Sequence, residues 1–251
     1  MLNLVSLEKR FGNLLALSGI TIGFGRAETV GLIGPNGSGK TTLVNLATGM
    51  HGPDSGRILF RGTDITGFGA HRIFRLGVAR TFQNLRLFPR MTVLGNVEAA
   101  RYGIPGNGLL DLLPGGRRSR GSNREKAEWA LETVGLQDDR NRLANALPLP
   151  RLRRLEIARV LACDPALVFL DEPAGGMTPA ESEDMARLIV DRVTPNRTCI
   201  VIEHKIELIM QVCTRLCVLD AGQLVADGDP GEVLSLPAVT EVYLGPETAD
   251  A

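Results

Sequence analysis

The residues best equipped for chemistry lie in one run, Gly34-Pro35-Asn36-Gly37-Ser38-Gly39-Lys40-Thr41-Thr42. Glycine, four residues, glycine, lysine and a hydroxyl residue is the spacing of a phosphate cradle. Glycines at 34, 37 and 39 permit positive φ and put no Cβ in the way, so backbone N–H groups can turn inward around a phosphate. Lys40 would set an ammonium between the β- and γ-phosphates, and Thr41 would offer its hydroxyl to a magnesium ion. A glycine-rich turn capping an ordinary helix is the alternative, and the flanking segments decide against it. Thr29-Val-Gly-Leu-Ile33 before the loop is short, apolar and strand-like, and Leu43 and Leu46 after it stand three apart, as on a helix face. A loop between a strand and the positive end of a helix is the context that a nucleotide site requires.

Five further positions could complete such a site. Asp171 follows the apolar run Ala166-Leu-Val-Phe-Leu170. An acid at the end of that strand can hold magnesium directly or through water, although capping a turn or helix is its other possible role. Glu172, beside it, would face the γ-phosphate and polarise an attacking water. A second apolar run, Thr198-Cys-Ile-Val-Ile202, ends on Glu203-His204, and His204 would sense the γ-phosphate or orient water. Alone, a histidine there is more often satisfied locally. Gln83, at the end of the strand-like Gly77–Phe82, means little by itself, and Phe11 could stack on a base or fill core space.

These residues need a scaffold that delivers strand ends to one place. Residues 3–33 alternate apolar and polar positions, with turns at Gly12-Asn13 and Gly25-Arg26, and Arg57–Phe60 reads as another strand. A third apolar run, Leu216–Leu219, ends in the turn Asp220-Ala-Gly222. Helices are expected over Met91–Ala100 with Thr92 as N-cap, over Arg124–Val134 capped by Asn123 and ended by Gly135, and over Arg151–Leu161 with Pro150 in the first turn. Residues 101–123 are broken by glycines and prolines and read as a long basic loop, with a short helix at Leu109–Leu113. That loop is either simply solvated or contacts a partner or phospholipid headgroups. Strands alternating with helices call for an α/β fold with a mainly parallel sheet, whose ligands lie at the carboxyl ends of the strands.

Composition narrows the function classes. Twenty-eight Lys and Arg balance 28 Asp and Glu, so no overall field favours nucleic acid or anionic lipid. The apolar runs are far too short to span a membrane, and Met1–Leu7 lacks the pattern of a signal peptide. Cys163, Cys199, Cys213 and Cys217 show no CxxC spacing, and three scattered histidines form no metal cluster. The chain reads as cytosolic and soluble, with reduced, buried thiols.

Taken together, the motifs resemble those of ATP-binding cassette ATPases over essentially the whole chain. Gly34–Thr42 looks like Walker A, Thr81-Phe-Gln-Asn84 like a Q-loop, Leu167–Pro173 like Walker B with its adjoining glutamate, and Ile202-Glu-His204 like the switch-histidine segment. Within that family the chain is similar to the ATP-binding subunits of branched-chain amino acid importers, through Ala79–Phe88, the long loop expected after Ala100, Arg153–Arg159 and Tyr243-Leu-Gly245. The resemblance implies a P-loop NTPase (RecA-like) core, an N-terminal antiparallel β-subdomain, a helical subdomain inserted at about 84–160 and a helical tail from about 228 to 251, in a single domain spanning 1–251. It implies ATP and Mg2+ as ligands, with Phe11 on the adenine and Thr41, Gln83 and Asp171 around the metal; Gln83 would also touch the transmembrane coupling contact. It further implies a sandwich dimer with a related ATPase or with a second copy. That dimer would lie peripherally on the cytoplasmic face of the inner membrane, beneath two permease subunits fed by a solute-binding protein, with no role for nucleic acid.

The resemblance breaks at one place. Where the family's signature loop reads like Leu-Ser-Gly-Gly-Gln, this chain has Leu147-Pro-Leu-Pro-Arg151. Pro148 lacks the hydroxyl and Pro150 the N–H that the family gives to a γ-phosphate on the opposite subunit. Arg151 retains charge and a donor fork. Thr178 stands where Asp or Asn is usual, and Lys205 where an acid commonly follows the histidine. The expectation is an asymmetric pair, competent at Lys40 and weakened at the partner's site, with a poorly hydrolysing regulatory subunit as the alternative.

Overall fold

The computed structural model describes residues 1–101 and 117–244. Two antiparallel strands, β1 (Leu2–Phe11) and β2 (Leu14–Phe24), lead into β3 (Thr29–Ile33), the cradle and α1 (Lys40–Ala47). Then come β4 (Ser55–Phe60), the short β5 (Thr63–Asp64), α2 (Ala70–Arg75) and β6 (Val78–Arg80). Among the described residues three α-helices follow before the next strand: α3 (Val93–Ala100), α4 (Arg117–Thr133) and α5 (Leu149–Leu161). The chain continues through β7 (Leu167–Asp171), α6 (Pro179–Leu188), β8 (Thr198–Ile202), α7 (Ile206–Val212), β9 (Arg215–Asp220) and β10 (Gln223–Gly228), and the described residues end with α8 (Pro230–Leu234) and α9 (Pro237–Leu244).

The strands form two sheets. One is antiparallel, in the order β2-β1-β4-β5. The other runs β10-β9-β3-β8-β7-β6, parallel except for the edge strand β10. The apolar runs at 167–170, 199–202 and 216–219 are continuous because both faces of this second sheet are covered. Their period of two sorts them: Val168, Leu170, Cys199, Val201, Leu216 and Val218 enter the core shared with α3, α4 and α5. Leu167, Phe169, Ile200, Ile202, Cys217 and Leu219 enter the other core, shared with α1 and the antiparallel sheet. Phe169 is fully buried there, so truncating it to alanine would cost about 3–5 kcal/mol. These two cores fix the strands whose ends carry the polar residues.

Helix starts follow local chemistry. The Gly95 N–H donates to Thr92 Oγ1, as the N-cap expectation requires, and α3 begins at Val93 rather than Met91. Thr178 caps α6 in a reciprocal box with Glu181, and Pro179 occupies the first turn.

Three expectations need correction. The sixth strand stops at Arg80, short of Phe82 and Gln83, because the chain leaves the sheet after the Thr81 N–H donates to Phe169 O. The helix expected from Arg124 already runs from Arg117, so residues 117–123, read as loop from their glycine and basic residues, are helical. Asn123 therefore lies inside α4 and caps nothing; its Oδ1 accepts from Arg101 Nε. The helix expected at Leu109–Leu113 and residues 245–251 of the tail lie outside the described residues.

Candidate functional site

The cradle loop follows β3 directly and closes on backbone from other elements. Gly34 has φ 147, and a Cβ there would strike the carbonyl of Leu219 and Ser38 Oγ. Gly39 has φ 104, where a Cβ would lie 2.8 Å from Ala16 O. No other residue type fits either position without displacing main chain. Lys40 is 7% exposed, and its ammonium donates to Gly34 O at 2.7 Å and Pro35 O at 2.8 Å. Burial holds that ammonium below the usual lysine range, and Glu172 and Asp171 pull it partly back.

A cleft of about 470 Å³ opens over the loop. Asn36, Gly37, Ser38, Gly39, Lys40, Thr41 and Thr42 form one wall, and Gln83, Asp171, Glu172 and His204 another. Phe11, with Leu14, Leu15 and Ala16 of β2, lies at its apolar end. Phe11 is 44% exposed, with His51 edge-on to it and the Lys9 ammonium 5.5 Å from the centre of its ring, so it is not a core residue. Gly34 and Pro35 do not line the cleft; their carbonyls hold Lys40 from beneath.

The acidic pair divides into two environments. Asp171 ends β7 almost buried; its N–H donates to Thr81 Oγ1, and its Oδ2 accepts from Arg80 Nη2 at 2.9 Å. Burial pushes its carboxyl above the usual aspartate range, and Arg80 opposes that. Glu172 is at φ 48, a left-handed conformation that a side chain of this size rarely adopts. Its N–H donates to Ile202 O, which anchors the kink to β8. The turn aims the carboxylate into the cleft, where Oε1 accepts from Gln83 Nε2 at 3.0 Å and lies 3.3 Å from His204 Nε2. Backbone strain of this kind collects where a side chain must be presented rather than packed. The arrangement can hold a polyphosphate on backbone N–H groups and an ammonium, and can place a carboxylate base beside it.

The residues also fit a hard cation. Thr41, Gln83 and Asp171 line one cleft and carry side-chain oxygens of the kind that could hold such a cation. Among the described residues no three His, Cys, Asp or Glu side chains are grouped to hold a metal unaided. That suits magnesium, which takes one or two carboxylates and completes its shell with phosphates and water.

Sequence reasoning missed Arg80 and Asn45, which stand behind Asp171, and the β2 segment at Leu14–Ala16. It also missed how the segment that carries Gln83, beyond the end of β6, is held: Glu156 Oε1 accepts the Phe82 N–H at 3.0 Å, and Arg153 Nη1 donates to Phe82 O at 3.2 Å. The one available signal was an arginine closing an apolar strand, and nothing local names its partners.

The proline-bearing loop starts α5 with Pro148 as N-cap. Neither Pro148 nor Pro150 has an N–H, and the Arg151 N–H donates to Pro148 O at 3.0 Å, so Leu149 supplies the sole open N–H of the first turn. The Arg151 guanidinium is paired with buried Asp139, which Arg142 also contacts at 2.7 Å. Lys205 points away from the cleft; its ammonium donates to Ala174 O, Met177 O and Ser182 Oγ at 3.1, 2.9 and 2.7 Å. The cysteines are free, as expected, and burial pushes the thiols up, to about 11 for Cys163 and about 12 for Cys199 and Cys213.

Comparison with known proteins agrees with this geometry. A family model described as ABC transporter matches residues 17–175. The chain is 40% identical over 249 residues to the high-affinity branched-chain amino acid transport ATP-binding protein BraF of Pseudomonas aeruginosa, covering 98% of each. It is 39% identical to LivG of Escherichia coli, of the same description and with the same coverage. Among solved structures it is similar to a nucleotide-free ATP-binding cassette from an ABC transporter, with a TM-score of 0.86, 31% identity and coverage of 97% of this chain and 98% of that one. It is also similar to the ADP conformation of an ATP-binding cassette, with a TM-score of 0.85, 31% identity and 98% of each chain covered.

Proposed function

The chain belongs to the ABC transporter family and is an ATPase subunit, and from that premise we propose that it drives uptake of branched-chain or related amino acids. The observation that carries this reading is the convergence of Lys40, Gln83, Asp171, Glu172 and His204 on one cleft, at the carboxyl ends of parallel strands. ATP would lie with its base against Phe11 and its phosphates in the loop Gly34–Thr42. Thr41, Gln83 and Asp171 would hold magnesium, which when bound neutralises charge on the phosphoryl oxygens. Glu172 takes the proton of the attacking water, a role commonly worth about 10²–10⁴ in rate. His204 and Gln83, both at hydrogen-bond range of Glu172 Oε1, orient that carboxylate and respond to the γ-phosphate.

The partners follow from the same reading. A groove of about 610 Å³ beside α5 is lined by apolar side chains that include Phe74, Phe82, Leu87 and Phe88, and Phe88 is 48% exposed. An apolar groove of this kind suits a segment from one of the two permease subunits. Among the described residues no helix is long and apolar enough to cross a membrane. The relatives' description as transport ATP-binding proteins supports a peripheral subunit at the cytoplasmic face of the inner membrane. Residues of about 84–160, which supply α3 to α5, would be the subdomain that moves with those partners.

The start of α5 supports an asymmetric dimer with a related second ATPase. With one open N–H in its first turn and Arg151 committed to Asp139, it offers the opposite nucleotide few donors. The site on Lys40 would then carry most of the turnover. The relatives' description as transport ATP-binding proteins weighs against a subunit with little hydrolysis. Proteoliposomes loaded with ATP and assembled from this chain, its partner ATPase, the permeases and the solute-binding protein test the reading. Labelled leucine should enter with wild type and not with Lys40→Ala. ATP-independent entry, or none with any branched-chain or related amino acid, would overturn it.

A further inference from the structure

Arg80 belongs to two sites at once. Its side chain is 9% exposed, and its guanidinium reaches two different elements. Nη1 donates to Asn45 Oδ1 of α1 at 2.6 Å, and Nη2 donates to Asp171 Oδ2 at the end of β7 at 2.9 Å. Nε donates to Thr81 O at 3.3 Å, which fixes the plane. Among the described residues Asp171 Oδ1 accepts no hydrogen bond, so the guanidinium occupies one carboxylate oxygen and leaves the other open to a cation. The helix that follows the phosphate cradle is thereby joined to the metal-binding strand end by one rigid fork.

The other side of Arg80 faces the groove. Its guanidinium carbon lies 4.8 Å from the centre of the Phe82 ring, and that of Arg86 lies 4.3 Å from the same ring. Arg80, Phe82 and Arg86 all line the groove. A segment seated there would press on the ring against which Arg80 is stacked.

We propose that Arg80 is a positioning residue that orients Asp171 for the divalent cation and makes that orientation responsive to occupancy of the groove. This rests on the reading of the cleft as a magnesium–nucleotide site and of the groove as the permease contact. Lysine cannot replace the fork, because one ammonium does not span Asn45 and Asp171 in fixed geometry.

Mn2+, followed by electron paramagnetic resonance in the presence of ADP, is the probe. Arg80→Gln in the chain alone should weaken Mn2+ binding by about 10–100-fold, as loss of an outer-shell partner does, while ADP binding in EDTA stays unchanged. Arg80→Lys and Asn45→Ser should fall between it and wild type. Assembly with the permeases should change Mn2+ affinity in wild type and not in Arg80→Gln. Wild-type Mn2+ affinity in Arg80→Gln, or in both milder variants should Arg80→Gln fail to fold, would overturn the positioning role. An equal response to assembly in wild type and Arg80→Gln, or in wild type and Arg80→Lys if the former is unfolded, would overturn the link to the groove. A wild-type chain that binds neither ADP nor Mn2+ would instead refute the nucleotide-site reading.

Discussion

Lys205→Met isolates the anchoring of the segment between β7 and α6. The Lys205 ammonium donates to Ala174 O, Met177 O and Ser182 Oγ, three acceptors in the segment between β7 and α6. Glu203, 2% exposed, holds the same segment from the other side by accepting the Ala174 N–H at 2.9 Å. Ala174 is thus gripped at both its N–H and its C=O by residues on either side of His204. Hydrogen bonds to a charged group contribute about 1.5–3 kcal/mol each, and three lost outright would cost about 4–9 kcal/mol. Lys205 is only partly buried and methionine preserves the apolar stem, so water recovers part of this and a net cost of about 2–4 kcal/mol is expected. For a chain of 251 residues each kcal/mol moves Tm by about 2–4 °C, so the melting point should fall by about 4–16 °C. Lys205→Arg should fall between, since a planar fork does not converge on three acceptors as an ammonium does. Amide hydrogen exchange should quicken at 174–178 well before the core strands. A Tm within a degree of wild type, with unchanged exchange in that segment, would refute the reasoning and show the ammonium to be as well served by water.

Two further outcomes follow from the same structure. Cys163 lines the groove with its pKa raised to about 11 by burial, so its thiolate is scarce at pH 8, about one part in a thousand. Because the shift is upward, its reaction with a disulfide reagent should be slow at pH 8 and rise about tenfold per pH unit towards pH 10, with Cys199 and Cys213 reacting only on unfolding. The triple change Pro148→Ser/Pro150→Gly/Arg151→Gln should restore donors to the start of α5 and raise ATPase turnover of the assembled heterodimer about twofold, as a site slowed by lost donors rejoins a competent one; steady-state rates at saturating ATP check this.

How far the sequence was legible depended on the range of the interactions. The cradle, the strand ends at Asp171 and His204, the cap at Thr92 and Pro150 in the first turn of its helix are local patterns, and the structure places them as their spacing implies, although that helix begins at Leu149 rather than Arg151. Asn123 misled because an asparagine ahead of an apolar stripe is an N-cap signal, whereas here its side chain serves Arg101, 22 residues away. Arg80 was silent because Asn45 and Asp171 lie 35 and 91 residues from it in sequence. Lys205 was visible as a departure, but its acceptors are mostly backbone carbonyls, which every sequence has. The pairing of β1 with β4 across the cradle also has no local signature.

The central claim is that this chain hydrolyses ATP with Glu172 as base in the cleft built on Lys40. The most direct measurement is the ATPase rate of the chain assembled with its partner ATPase and membrane subunits, wild type against Glu172→Gln, with nucleotide binding followed in parallel. The account predicts turnover in wild type, a fall of about 10²–10⁴ in Glu172→Gln and binding retained in both. Equal rates in the two, or a wild-type complex that binds ATP and never turns it over, would contradict it.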